Sequence, residues 1–321
     1  MSRRCNYRRT PDTDPCENWV ADDLDHCRAG HPCPPVRPAG GFSGVQTTMN
    51  PSGLALDDLA ASSSEATVVS MSAASDGSYT AVVDMAEAAA RAGVADHYRL
   101  FGGVAVVLHV ERLGLVLPLR STGDADCGVP PHVLRDGRLV DEIERLGYIQ
   151  VKGNRWQKEL DGGRTATTDL LIPAYTSRAR DNRRIGNVVT TEVPGLAQAF
   201  LYPPVGVTTD FRLTTGKAPR GTVLLPDAIT MLHLKIGARR VRDEARDSTD
   251  LWHCLEVCHA EGIRKADVLG RSDGPTIVRG LSHEFVGTAP SLRQICEQVS
   301  EDAARHLTVR IQALLRDVVG I

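Results

Sequence analysis

Two aspartates separated by one residue, Asp124 and Asp126, stand in the stretch Arg120-Ser121-Thr122-Gly123-Asp124-Ala125-Asp126-Cys127-Gly128-Val129. On a strand, side chains two positions apart point to the same face, and two like charges that close are costly unless a cation lies between them. The smallest chemistry that uses them is a divalent-metal site, and a donor set made only of oxygens favours Mg²⁺ or Mn²⁺ over zinc. Asp-x-Asp also occurs in solvated turns, so the reading depends on its context. Asp169, in Thr168-Asp169-Leu170-Leu171-Ile172-Pro173, supplies some of that context. A lone charge on a strand otherwise fit for a core is unfavourable without a partner. Beside Asp124 and Asp126 it would complete a three-carboxylate cradle for two metal ions.

Other residues are suited to phosphate. Gly102 and Gly103 follow Tyr98-Arg99-Leu100-Phe101 and precede an apolar run. Paired glycines let a backbone come close to something, either a nucleotide phosphate facing the turn's amides or a tightly packed helix. Further on, Lys235, Arg239, Arg242 and Arg246 are spaced 4, 3 and 4 residues apart on a long helix that Pro226 could open. At roughly 100° per residue they fall within about 60° of one another. Such cations repel each other by a few tenths of a kcal/mol, so the stripe wants an anion, unless Asp243, Glu244 and solvent absorb it. Arg178, Arg180, Arg183 and Arg184 form a second basic run, either a solvated face or a polyanion contact. Asp247 and Asp250 precede a helix over 251–259. Asp247 is either a cap or a group that orients a neighbouring base or substrate.

Those residues require elements to position them. Apolar spacing predicts an amphipathic helix over 80–95 and a strand over 113–119 that delivers Arg120 to Asp126, ended by the turn at 128–131. A helix over 133–146 stops at Gly147. Strands follow at 148–151 and 156–160, joined by the basic turn Lys152-Gly153-Asn154-Arg155, and then at 165–175. The C-terminal part reads as helical, with an amphipathic helix over 292–319. His109, on an apolar stretch, reads as a core histidine, and Cys254 and Cys258 as core thiols.

The chain of 321 residues has 37 Lys+Arg against 40 Asp+Glu, a formal charge of −3, so bulk attraction does not make it a polyanion binder. Any nucleic-acid contact must come from a local basic face. No apolar run approaches the roughly 18–20 residues of a membrane span, and no apolar segment backs the charged N-terminus. The eight cysteines read as free thiols, and the cytoplasm is the expected compartment. Residues 1–75, rich in Pro, Gly, Ser, Asp and Arg, read as a mostly disordered extension, with Met49 and Met71 as candidate starts. Cys16, Cys27, His31 and Cys33, with Cys5 and His26 nearby, lie there without the spacing of paired zinc knuckles.

Gly102-Gly103, Arg120-x-Thr122-x-Asp124-x-Asp126, Thr168-Asp169-Leu170-Leu171, Leu234-Lys235-x-x-Ala238 and Arg246-Asp247-x-x-Asp250-Leu251 together resemble the AbiEii-like nucleotidyltransferase toxins, whose relatives include the MenT toxins. The resemblance covers about residues 96–262. It implies an α/β (α+β) nucleotidyltransferase fold, a mixed sheet flanked by helices in a core at 76–220, followed by a helical region at 221–321. It further implies Mg²⁺ (or Mn²⁺), an NTP substrate, tRNA as acceptor and an antitoxin partner. Asp124, Asp126 and Asp169 resemble the metal-binding carboxylates. Thr122 and Gly102-Gly103 resemble triphosphate contacts, with Arg239 and Arg242 as further phosphate-holding cations. Lys235 resembles the family's essential lysine and Asp247 its last motif aspartate. The same core also serves aminoglycoside-modifying enzymes, and a catalytically silent RNA-binding or antitoxin-type relative is a third possibility.

Overall fold

The computed structural model describes residues 2–4, 19–21, 64–118, 120–176, 179–242 and 244–321. The chain divides into two units, Met1–Asn50 and Pro51–Ile321. In the first, strands β1 (Ser2–Arg4) and β2 (Trp19–Ala21) pair antiparallel. The candidate zinc ligands lie outside the described residues.

The second unit is a mixed α/β fold. A seven-stranded sheet runs in the order β4 (Arg99–Phe101), β5 (Ala125–Gly128), β8 (Arg164–Pro173), β10 (Val188–Val193), β9 (Arg183–Ile185), and the hairpin of β6 (Ile149–Lys152) and β7 (Arg155–Leu160) joins it through β8. Strand β8 is long enough to serve three neighbours. It pairs in parallel with β5 and β10 and antiparallel with β7. Eight consecutive residues, Ala166 to Pro173, are buried, as suits a strand covered on both faces. A second sheet orders β12 (Arg220–Leu225), β11 (Val205–Arg212) and β3 (Ser64–Val69).

Strand β3 lies within the range read as a disordered extension. Its alternating Ala66 and Val68 are buried, and it pairs in parallel with β11. Helix α1 (Ala73–Arg91) begins earlier than the apolar spacing suggested, because Ser72 caps it: the Ser72 hydroxyl accepts from the Ser75 amide at 3.1 Å. Val82, Met85 and Ala89 on α1 enter the core, and Tyr79 stacks on Phe211 with ring centroids 4.8 Å apart.

Helix α2 (Gly102–Arg112) follows β4 directly. The segment after it, expected as a strand, is a turn and an extended loop. Leu115 and Leu117 pack half-buried against the core while Val116 is fully exposed, so the apolar run anchors a loop and joins no ladder. Gly137, at φ +88°, divides the expected 133–146 helix into α3 (Pro131–Asp136) and α4 (Arg138–Arg145). The C-terminal region is helical: α5 (Ala228–Val241), α6 (Ala245–Ala260), α7 (Lys265–Leu269), α8 (Gly274–Phe285), α9 (Pro290–Cys296) and α10 (Glu301–Val318). The single helix expected over 292–319 is thus two, with Ser300 capping the second. No helix among the described residues is long and apolar enough to cross a membrane.

Candidate active site

The register of four strands builds the site. Phe101 on β4 stands opposite Asp126 on β5, Asp126 opposite Asp169 on β8, and Asp169 opposite Arg155 on β7. Directly opposite residues on paired strands have Cβ atoms about 4.5–5.5 Å apart and share a face. The row therefore gathers two carboxylates and a guanidinium on one side of the sheet. Asp124, two residues before Asp126, sits in the loop entering β5 and joins the same cluster. Arg155 Nη2 donates to Asp124 Oδ2 and Asp169 Oδ2, both at 2.9 Å, while its Nε donates to Asp169 Oδ1 at 3.1 Å. Among the described residues Asp126 has no comparable partner. Burial first, then the charges of Asp124 and Asp169, push its carboxyl up to about 7, against the pull of Lys235 and Arg242.

Gly102 and Gly103 pack directly on this cluster. Gly102 has φ +77°, and a Cβ there would overlap the Asp126 carboxylate. A Cβ on Gly103 would lie 2.6 Å from Arg120 Nη2 and 2.7 Å from Thr122 Cγ2. Both glycines are thus required by close approach and, at 102, by backbone conformation. They form the first turn of α2, whose N-terminus has no side-chain cap, which leaves its first amides without a side-chain acceptor. Of the two readings of the pair, tight packing is the one these contacts show.

Asp250 on α6, outside the expected set of site residues, anchors the other wall. It is 1% exposed. Lys235 Nζ on α5 donates to its Oδ2 at 2.6 Å, and Arg120 grips it with two bonds, Nε to Oδ1 at 2.9 Å and Nη2 to Oδ2 at 2.6 Å. Burial alone would raise the Asp250 pKa, but the charge of Lys235 and the bonds from Arg120 hold it below the usual carboxylate value. Burial likewise works against the Arg120 charge, and Asp250, Asp247 and Asp124 more than restore it. Lys235 thus reaches the site as a buried cation, on a cleft of about 440 Å³ lined by Gly102, Asp126, Asn154, Asp169, Lys235 and Arg242, with Asp181 and Glu192 on its wall.

Other expected residues fall elsewhere. Helix α5 ends at Val241, so Lys235, Arg239, Arg242 and Arg246 do not form one stripe. Arg239 is buried, with Nε 3.1 Å from Ser291 Oγ and 3.3 Å from Glu284 Oε2, and it holds the C-terminal helices instead of a ligand. Arg242 is half-exposed on the cleft, while Arg246 pairs with Glu244. Thr122 is buried, its hydroxyl 3.3 Å from Ser78 Oγ, and it supports the loop. Asp247 does not cap α6, whose N-cap is Glu244. It is buried, with Oδ1 3.5 Å from Arg242 Nη2 and Oδ2 without a hydrogen-bond partner among the described residues. His109 is a satisfied core histidine, with Nε2 2.9 Å from the Pro226 carbonyl. Arg178 lies outside the described residues.

Among the described residues no three His, Cys, Asp or Glu side chains form a ready cage for a metal ion, and Arg155 stands between two of the aspartates. The donor chemistry nonetheless fits a hard divalent cation. Asp126 and Asp169 share one face with Asp124 beside them, and burial first, then the charges of its two neighbours, raise the Asp126 carboxyl.

No family model matches the chain, and no curated protein matches it. Among solved structures, it matches the solution structure of the antibiotic-resistance factor ANT(2″)-Ia, described as having substrate-regulated conformation dynamics, at 14% identity over 64% of this chain and 91% of that one, with a TM-score of 0.33. A likeness that distant carries no argument about this chain.

Proposed function

We propose that the chain is a divalent-metal-dependent nucleotidyltransferase that moves a nucleoside monophosphate from an NTP to an acceptor hydroxyl. The observation that carries this reading is the row Asp126–Asp169, with Asp124 alongside, set against the uncapped N-terminus of α2. Asp124, Asp126 and Asp169 would hold Mg²⁺ or Mn²⁺, which supplies positive charge for the triphosphate and a more acidic acceptor hydroxyl. The amides of Gly102 and Gly103 would donate to phosphate oxygens at the positive end of the helix dipole. Lys235, fixed by Asp250, and Arg242 on the open side of the cleft offset charge on the phosphates. The acceptor oxygen bonds to the α-phosphorus, the α–β P–O bond breaks, and pyrophosphate leaves with those electrons. The acceptor's proton passes to a site carboxylate or to water.

For the acceptor, the reading carried from the resemblance is the 3′ end of a tRNA, with the chain as the toxin of a toxin–antitoxin pair. Arg180 and Arg184 are exposed beside the cleft-lining residues Ala179 and Asp181, which suits a polyanion. A second reading, transfer to a cationic small molecule such as an aminoglycoside, is supported by Asp181 and Glu192 on the cleft wall. Transfer of α-³²P label from each NTP, with Mg²⁺, to total tRNA and separately to aminoglycosides tests both. Wild type should label one acceptor class and Asp126→Ala neither. A folded Asp126→Ala protein that labels as well as wild type would refute the assignment.

A further inference from the structure

Arg155 is placed by the fold where a cation is needed. Register sets it opposite Asp169, and its guanidinium bridges Asp169 and Asp124 through a single nitrogen, Nη2, 2.9 Å from each. Both residues resemble metal ligands, so the space between their carboxylates is the space a divalent ion would take. The arginine side chain is 42% exposed, whereas Asp169 is 11% exposed. Asp124 is as exposed as the arginine, at 42%, so the guanidinium can leave toward solvent while the buried Asp169 stays. It is also the first residue of its strand, directly after the turn at Gly153 (φ +53°) and Asn154, with a register irregularity in the facing strand between Gln150 and Lys152. Its backbone is paired across the hairpin with Lys152, while the hydrogen bonds of its side chain among the described residues run to Asp124 and Asp169.

We propose that Arg155 is a built-in counter-ion, which neutralises the aspartate cluster before metal binds and gives up its place to the incoming divalent cation. The proposal rests on the metal-site reading above. Its physical content is competition. Like charges on adjacent strands are destabilising without compensation. An internal cation keeps the metal-free fold intact and sets a threshold of metal concentration for loading. Arg155 is accordingly a positioning residue for the cluster.

The test uses the full chain and Mn²⁺ itself. Free Mn²⁺ is followed by electron paramagnetic resonance during titration of wild type, Arg155→Gln, Arg155→Ala and Arg155→Lys, and thermal unfolding is recorded in EDTA and in Mg²⁺. Removing the competing charge should tighten Mn²⁺ binding by up to about fivefold, the equivalent of one partly exposed charge pair. Arg155→Gln should lose stability in EDTA and recover more of it with Mg²⁺ than wild type gains, and Arg155→Lys should fall between. Should Arg155→Ala fail to fold in EDTA, Arg155→Gln, which keeps most of the side chain, gives the comparison. Equal Mn²⁺ affinity in wild type and Arg155→Gln would overturn the counter-ion role while leaving the metal site standing. Weaker binding in the variants would show that Arg155 supports the site and would equally overturn it. If no protein binds Mn²⁺, the metal reading fails and this proposal with it.

Discussion

Asp250 gives the most demanding test of how the site is held. It is buried at the junction of three elements, accepting from Lys235 on α5 and from two nitrogens of Arg120 on the loop that leads to Asp124. In Asp250→Ala two cations lose their shared anion. Lys235, itself 3% exposed, then has none of its observed hydrogen bonds. Removing one partner of a buried pair costs about 3–5 kcal/mol, because the charge left behind is uncompensated. A domain of this size loses about 2–4 °C of Tm per kcal/mol, so Tm should fall by roughly 10–15 °C. Lys235→Met removes the other end of one bond, yet Asp250 keeps both bonds from Arg120. Its cost should be about 1–2 kcal/mol, although transfer activity is lost in both. Acid titration adds a signed check. The native Asp250 carboxyl lies below its ordinary value of 3.8, so the unfolded chain binds its proton more readily. The stability it contributes is complete above that value and is lost as pH falls through the native pKa. Urea unfolding of wild type and both variants from pH 3 to 7 measures all of this. Lys235→Met as damaging as Asp250→Ala, or Asp250→Ala as stable as wild type, would refute the account of Asp250 as the shared anchor.

Asp126→Asn should raise the Tm of the protein in EDTA by a few degrees, since it relieves like-charge crowding, while abolishing metal-dependent label transfer. Gly102→Ala places a Cβ against the Asp126 carboxylate at φ +77°; it should cost about 1–3 kcal/mol in urea unfolding and most of the activity, where an ordinary surface change would cost neither. Arg239→Ala should lower Tm by several degrees with NTP affinity of the folded fraction unchanged, whereas Arg242→Ala should weaken NTP binding in calorimetry with little change in Tm. Burial first, helped by the charge of Arg112 and opposed by the Pro226 bond, pushes His109 down to about 3 from 6.5. The unfolded chain therefore binds more protons between those values and stability falls as pH drops from 6.5 toward 3; His109→Gln should flatten that slope in pH-dependent thermal unfolding.

That the three aspartates and the glycine pair gather in one place was legible from local signals, although Asp124 lies in the loop before β5 and not on the strand the spacing assumed. Asp-x-Asp fixes a shared face, and a charge inside Thr-Asp-Leu-Leu-Ile demands a partner. Lys235 was legible as a cation but not as a buried one, since its anion lies 15 residues away on the next helix. Spacing alone does not choose between Asp247 and Asp250, which are neighbours one turn apart on α6, and only the packing of α5 on α6 makes Asp250 the acceptor. Arg155 was visible as part of a basic turn, and its role follows from register, a long-range property that no window around residue 155 contains. The stripe of Lys235, Arg239, Arg242 and Arg246 failed because helical periodicity was continued past Val241, where α5 ends and Arg242 leaves helical geometry at ψ 124°. The strand expected at 113–119 failed because apolar composition does not distinguish a ladder strand from a loop anchored by Leu115 and Leu117.

The contacts also explain why the site draws on elements so far apart in sequence. Three aspartates on one face repel, and a sheet alone would have to keep them protonated or apart. Here one cation from the same sheet, Arg155, offsets Asp124 and Asp169. A second set from outside it, Lys235 and Arg242, acts on Asp126. Buried Lys235 is paired with Asp250, and Asp250 carries Arg120, against which Gly103 packs. The loop from Arg120 to Asp124, which ends at the first carboxylate of the cluster, is therefore fixed at its start by a salt bridge to α6 and at its middle by Thr122 against Ser78 and Gly103. Cutting that chain at Asp250 should disturb the placement of Asp124 without touching it. In Asp250→Asn, Mn²⁺ affinity should therefore fall together with stability, even though Asp250 contacts none of the three aspartates; unchanged Mn²⁺ affinity in the folded variant would show that β5 and β8 alone position the cluster.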